Sequence, residues 1–342
     1  KKKVAPEAAA KIRELNLPGI GVVEDNVRFY PNGTLAAHVL GFTGIDSQGL
    51  EGIEYSRDEE LTGRHGSILT EYGADGIKIP GAEHEFIPPI QGNTVKLTID
   101  KNIQAFAERE LAKLMAGQGV NMEGVVPKSA SILVMEPSTG RMLAIASAPT
   151  FDPNNYQASD PSTRRCVAIQ NGYEPGSTFK IITLAAAFEE KKVSLNDTFT
   201  DPGFATILGK RIRCWKAGGH GTQTTVEIAE NSCNPGFIEL GQRLGLDKFY
   251  KYLLDFGFGR KTGIEMSGEA KGILADKKKA TALDLATMSI GQTNNVTPIQ
   301  LITAVSAVAN GGVLLQPQLV QEIISPDGEV LVPFEKKVVR RV

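Results

Sequence analysis

The chain has 342 residues, 41% of them hydrophobic and 22% charged, with a net charge of −2. That is enough apolar material for one large domain and a smaller one, and the charge balance leaves no basic footprint of the kind that binds nucleic acid. No stretch nears the ~20 consecutive apolar residues of a membrane span, and no secretory leader opens the chain. The first residue is lysine rather than methionine, which fits a chain trimmed of an N-terminal anchor; Lys1-Lys2-Lys3 is read as a solvated end.

Residues 1–15 read as a short helix. Residues 18–90 are rich in glycine, proline, aspartate and charge, with short β-like runs and no catalytic cluster. His38, His65 and His84 lie there among glycine-rich turns and are read as surface or packing residues. A boundary falls at Pro88-Pro89-Ile90-Gln91-Gly92-Asn93. Residues 94–99 alternate as a strand does, and a helix follows from Asp100, a candidate N-cap, to Met115. Strand-like runs at 129–135 and 141–146 flank Pro137-Ser138-Thr139-Gly140, the composition of a hairpin turn. A helix runs on from Ser177, loops extend to about 224, and helices are expected from Val226, at 247–256 and within 283–309. Strands followed by several helices indicate an α+β fold, with helices packed on an antiparallel sheet.

The chemistry gathers in Glu174-Pro175-Gly176-Ser177-Thr178-Phe179-Lys180. Residues three apart on a helix share a face, so the Lys180 amine can reach the Ser177 hydroxyl. At a helix start, backbone N–H groups and the positive dipole end favour a developing alkoxide. A lysine serves as base there if burial or a neighbouring cation lowers its pKa. This is the layout of Ser/Lys acyl transfer, with a plain N-cap serine as the ordinary alternative. Ser232-x-Asn234 offers a hydroxyl to relay a proton and an amide to hold a peptide group. Ser194-Leu195-Asn196 has the same pattern in a polar stretch and is read as a turn. Glu174 and Glu230 are read as ion-pair partners and Trp215 as packing.

Three cysteines cannot close into a disulfide framework. Cys214 and His220, joined through flexible Gly218-Gly219, can converge with Cys233 on one ion, as thiolates and imidazole do on zinc. Cys166, ahead of Ser177, is a more distant fourth candidate. A Cys214–Cys233 disulfide, or Cys233 as a small buried residue, are the alternatives.

Taken in order, EPGSTFK, NSCNPGF, Phe256-Gly257-Phe258-Gly259 with Thr262-Gly263-Ile264, and Thr297-Pro298-Ile299-Gln300 resemble the class B penicillin-binding proteins. The sporulation-specific type, in which RCW…GGHG and NSCNPGF recur, is the closest likeness. Arg28-Phe29-Tyr30-Pro31, residues 35–41 and Gly49-Leu50-Glu51-Gly52 resemble that family's non-catalytic pedestal, its dimerisation domain. The resemblance implies the penicillin-binding/serine-transpeptidase fold, an antiparallel sheet flanked by helices, with a β-rich pedestal over residues 1–90 and a transpeptidase domain over 91–342. It implies a peptidoglycan D,D-transpeptidase in which Ser177 attacks the penultimate D-alanine carbonyl of a stem peptide and Lys180 activates it. Ser232 relays the proton to the leaving amine, Asn234 binds the donor peptide, and the Ser177 N–H is half of an oxyanion hole.

The same resemblance implies acylation by β-lactams, a glycan polymerase as partner, lipid-linked or nascent glycan strands as substrate, and no nucleic acid. It places the domain on the outer face of the cell membrane behind a single-pass anchor. The chemistry requires no cofactor, while recurrence of Cys214, His220 and Cys233 implies structural zinc. The family's third motif, a Lys-Thr-Gly strand, belongs after Gln300. Lys261-Thr262-Gly263 comes too early to be that motif, and residues 301–342 hold no other, so the transpeptidase domain is expected to lack its C-terminal part. A non-catalytic penicillin-binding module is therefore one alternative, and a D,D-carboxypeptidase or β-lactamase-like hydrolase is another.

Overall fold

The structure, a computed structural model, describes residues 2–23, 25–64, 66–69, 85–118 and 126–342. His65 and His84 lie outside the described residues. Helix α1 (Pro6–Glu14) opens on a proline, whose missing N–H costs nothing in the first turn, and none of its residues is buried. Short helices α2 (Ala37–Leu40), α3 (Gly52–Ser56) and α4 (Asp58–Leu61) follow. The β-like runs of this part appear, among the described residues, as one antiparallel ribbon of β1 (Ser67–Leu69) with β2 (Glu85–Ile87) and two isolated bridges, Thr43 to Gly49 and Arg64 to Ile90. The chain crosses itself at two glycines: a Cβ on Gly41 would stand 1.8 Å from Glu51 O, and one on Gly52 would stand 2.5 Å from Gly41 N. Only glycine allows that approach, and both residues have positive φ.

After the boundary comes β3 (Thr94–Leu97), then α5 (Lys101–Met115), capped by the Asp100 carboxylate, which accepts from the amides of Asn102 and Ile103. The hairpin of β4 (Ala130–Met135) and β5 (Met142–Ala148) turns through positive-φ Gly140. Helices α6 (Val167–Gln170) and α7 (Lys180–Glu189) precede a region of four strands. Where loops were expected up to about 224, β6 (Thr198–Asp201) pairs with β9 (Gly221–Thr224), and β7 (Phe204–Ile207) pairs with β8 (Lys210–Arg213). Each is four residues long and β8 is mostly cationic, so no alternation of useful length marks them. Helices α8 (Thr225–Glu230), α9 (Asn234–Leu244), α10 (Leu246–Asp255), α11 (Ala282–Ser289) and α12 (Pro298–Ala309) complete the helical layer. The chain closes with β10 (Val313–Leu315), β11 (Val320–Ile324), β12 (Val330–Val332) and β13 (Val338–Arg341).

Strand β11 sits between β3 and β12, all antiparallel, and β10 pairs with β13. A parallel bridge of Arg141 to Gln318 and the bond from Met142 N to Gln318 O tie the β4–β5 hairpin to this sheet. Helix α5 lays Ala107 and Leu111 on Ala144, Ala146 and Ala148 of β5, the i, i+4 stripe its sequence predicts. The larger cluster gathers Phe179, Phe237, Phe258, Leu240 and Met288 between the helices. Val39 and Ile53 of the front part share a buried cluster with Met142, Ile145 and Leu319, so the two parts are packed together. Polar ties add to this: Asn154 makes a two-way amide pair with the backbone of Tyr30, and Arg57 meets Glu265, whose other oxygen accepts from the amides of Leu319 and Val320. His38 is a packing residue, hydrogen-bonded to Thr163 O and edge-on to Phe151.

Candidate active site

A 3₁₀ turn, Gly176–Phe179, runs directly into α7, so Ser177 stands on the head of a continuous helical stretch. Its side chain is exposed, whereas Phe179 and Lys180 are buried. Phe179 anchors the turn from below against Phe258, ring centres 5.2 Å apart. Positive φ at Gly257 and Gly259 lets that phenylalanine point inward, which accounts for the Phe-Gly-Phe-Gly pattern. From the side, Gly176 N donates to Gly291 O, and a Cβ on Gly291 would stand 2.0 Å from Gly176 O. Glu174 accepts from Thr293 N rather than forming the expected ion pair. The Thr297-Pro298-Ile299-Gln300 stretch caps α12, and the Gln300 amide holds Arg260 O and Lys271 O.

Lys180 is 3% exposed, with its ammonium 5.3 Å from the centre of the Phe237 ring. Burial drives its pKa down from 10.5 to about 8, against a smaller upward electrostatic pull from the neighbouring Cys233 and Cys214. Its Nζ donates to Ser232 O at 2.7 Å, Ser232 Oγ at 3.0 Å and Asn234 Oδ1 at 2.7 Å. Three acceptors match the three donors of an ammonium, and loss of one proton frees a lone pair one helical turn from Ser177.

Ser232 is held in an unusual way. Cys233 N bonds back to Ile228 O and Ser232 N to Ala229 O, the two bonds of a Schellman motif that ends α8. The position after the cap normally takes glycine, yet here a serine occupies it at φ 49°. A left-handed serine costs ~1 kcal/mol or more, so its hydroxyl is kept there at the expense of stability. Ser232→Gly is expected to raise unfolding stability by about 1 kcal/mol in urea titration; a less stable glycine variant would refute the strain argument. Asn234 opens α9 and donates from Nδ2 to Arg213 O at 2.9 Å. Ser194 hydrogen-bonds to Asp197 in a turn remote from Lys180, as its setting suggested. An open groove of about 700 Å³ is lined by Thr178 of the 3₁₀ turn together with Tyr173, Ile181, Ser131 and Leu301; Ser177 itself is not in its wall.

Behind the Ser-x-Asn turn, Asp201, Cys214, His220 and Cys233 bring one donor atom each to within 4.8 Å of one another. His220 Nδ1 lies 2.7 Å from Asp201 Oδ2 and 3.6 Å from Cys214 Sγ, and Cys233 Sγ donates to the same carboxylate oxygen at 3.4 Å. Burial pushes the Asp201 carboxyl up, but the bonds from His220, Cys214, Gly203 N and Cys233 outweigh it and hold it at about 2. Burial pushes the Cys233 thiol up to about 12. Among the described residues no lysine or arginine pairs with this buried carboxylate. All three cysteines are free.

Asp201 was not anticipated from the sequence. Its signal was the inward face it shares with Phe199 in β6, a strand too short to recognise. Cys166 is a correction: its Sγ lies 3.5 Å from Ser147 Oγ, packed with Met142 and Ile145, and it is not among the four clustered donors. At the N-cap position of α6 it faces β5, and burial pushes its thiol up. Lys261-Thr262-Gly263 forms no strand; Thr262 and Gly263 bind the Glu269 carboxylate instead.

The fold and this arrangement are those of the penicillin-binding proteins, and the chain belongs to that family: the penicillin binding protein transpeptidase domain matches residues 130–342 and the penicillin-binding protein dimerisation domain matches residues 1–97. It is 47% identical over 327 residues to stage V sporulation protein D of Bacillus subtilis, covering 95% of this chain and 50% of that protein. It is 29% identical to peptidoglycan D,D-transpeptidase FtsI of Escherichia coli, covering 100% of this chain and 56% of that protein. The chain thus spans about half the length of these curated relatives. Among solved structures, a peptidoglycan synthetase from Bifidobacterium adolescentis superposes with a TM-score of 0.80 at 29% identity, covering 99% of this chain and 61% of that one. Penicillin binding protein 3 from Mycobacterium tuberculosis in complex with aztreonam gives a TM-score of 0.77 at 29% identity, covering 92% of this chain and 65% of that one.

Proposed function

We propose that the chain carries the nucleophile, base and proton relay of a peptidoglycan D,D-transpeptidase. The observation that carries this reading is the Lys180 amine, buried, held by Ser232 and Asn234, and one turn from an exposed Ser177. Neutral Lys180 takes the Ser177 proton as Oγ bonds to the penultimate D-alanine carbonyl carbon, and the helix-head N–H of Ser177 faces the oxyanion. The proton passes through Ser232 Oγ to the leaving D-alanine nitrogen as the peptide bond breaks, and the amine of a second stem peptide then displaces Ser177. Asn234 holds the donor peptide. Its substrates are stem peptides on lipid-linked or nascent glycan strands in cell-wall or spore-cortex synthesis, and its partner is a glycan polymerase.

The reading sets the site on the outer face of the cell membrane, tethered by a single-pass anchor outside residues 1–342. Among the described residues no helix is long and apolar enough to cross a membrane. Residues 1–90 form the pedestal and 91–342 the transpeptidase part. Labelling with a fluorescent penicillin tests the function. A stable covalent adduct is expected, and none in Ser177→Ala. No adduct on the native protein would favour a non-catalytic module, and rapid release of the adduct would favour a hydrolase.

The chemistry needs no cofactor, but a structural Zn²⁺ suits Asp201, Cys214, His220 and Cys233. Two thiols, an imidazole and a carboxylate, all converging, are the donor types of a closed tetrahedral zinc site. Zinc would supply no step of the reaction; it would tie β6, the segment after β8 and the Ser232 turn together. Elemental analysis is expected to find about one zinc per chain, and a zinc-free protein with unchanged thermal stability would sink this assignment.

A further inference from the structure

Trp215 is the single tryptophan of the chain, and its side chain is 67% exposed beside the Ser-x-Asn turn. The sequence suggests packing, yet an indole this exposed gains little by burial. Its Nε1 nonetheless donates to Asn231 O at 2.7 Å, a group that water could serve. Asn231 is the cap residue that ends α8, and Ser232 follows it in the left-handed conformation.

We propose that Trp215 is a positioning residue for acyl transfer: its N–H pins Asn231 O and so keeps Ser232 Oγ and Asn234 Oδ1 aimed at Lys180. This rests on the transpeptidase reading above. The end of β8 and the residues just after it grip the turn at both ends, Trp215 Nε1 on Asn231 O and Arg213 O on Asn234 Nδ2. Between those ties lies the strained serine, which relaxes toward the right-handed region once a tie is lost. His220 meets the indole edge-on from another side, ring centres 5.4 Å apart, and so fixes its orientation. Small displacements of a proton-relay group are costly to rate, which gives the indole N–H a role that its bulk does not have.

Because the tryptophan is unique, replacing it by 3-benzothienylalanine removes one N–H and keeps the ring shape. The maximal rate of acylation by fluorescent penicillin is expected to fall about tenfold, the worth of a single hydrogen bond, with half-saturating penicillin unchanged. Amide exchange at Cys233 is expected to quicken by a similar factor, because that N–H closes the turn. Trp215→Phe is expected to behave like the isostere. Wild-type rate and exchange in the isostere, with loss only in Trp215→Ala, would mean packing alone and overturn the proposal. If the native protein takes no penicillin, the transpeptidase reading fails, and unchanged Cys233 exchange would then also remove the tie.

Discussion

Lys180→Met is expected to slow acylation by penicillin about 10²–10⁴-fold, the range general-base catalysis supplies. Methionine fills nearly the same volume, so the loss reports the amine rather than a collapsed core. It also leaves Ser232 O, Ser232 Oγ and Asn234 Oδ1 without the donor that now joins them. Second-order acylation rates with a fluorescent penicillin measure the effect, and a drop of less than about tenfold would assign the proton transfer to another group. The native profile carries the same signature. With Lys180 at about 8, acylation should rise with pH through that value and level off above it, as the neutral amine accumulates. Between about 8 and 10.5 the unfolded chain holds a proton that the folded chain has lost, so stability also rises with pH in that window.

Phe237→Ala is expected to cost about 3–5 kcal/mol of unfolding free energy, the usual loss for a buried phenylalanine. Phe237 is 2% exposed within the cluster of Ile228, Leu240 and Phe249. Its ring also forms part of the apolar surface beneath the Lys180 amine. The cavity lets water nearer that amine, so the midpoint of the acylation profile should move up toward the ordinary lysine value. Urea unfolding and the pH profile read the two effects separately. A loss below about 1 kcal/mol would show that the helices close over the gap, and an unmoved midpoint would show that burial elsewhere sets the lysine.

Features that depend on neighbours along the chain are legible in the sequence itself. Ser177 and Lys180 follow from the spacing of one helical turn, and Asp100 from the chemistry of an N-cap. The β4–β5 hairpin follows from its turn residues. Asp201 is not legible, because a four-residue strand shows too little alternation to mark an inward carboxylate. Nor is the placement of Cys166 away from the other thiols, since nothing local says which sheet face a buried thiol meets. The polar region up to about 224 presents the same difficulty: strands stabilised by pairing rather than by an apolar face resemble loops.

By itself the sequence determined which groups are present and their local spacing: a serine and a lysine on one helix face, a Ser-x-Asn turn, two cysteines and a histidine near it. Only the tertiary structure decided what those groups are. Burial brings Lys180 to about 8, a value no local spacing encodes, because desolvation depends on residues distant in the chain. The strained φ of Ser232 and the indole tie from Trp215 likewise come from the packing of one segment against another. Spacing is a property of neighbours along the chain, whereas protonation and aim are properties of the surroundings that the fold supplies.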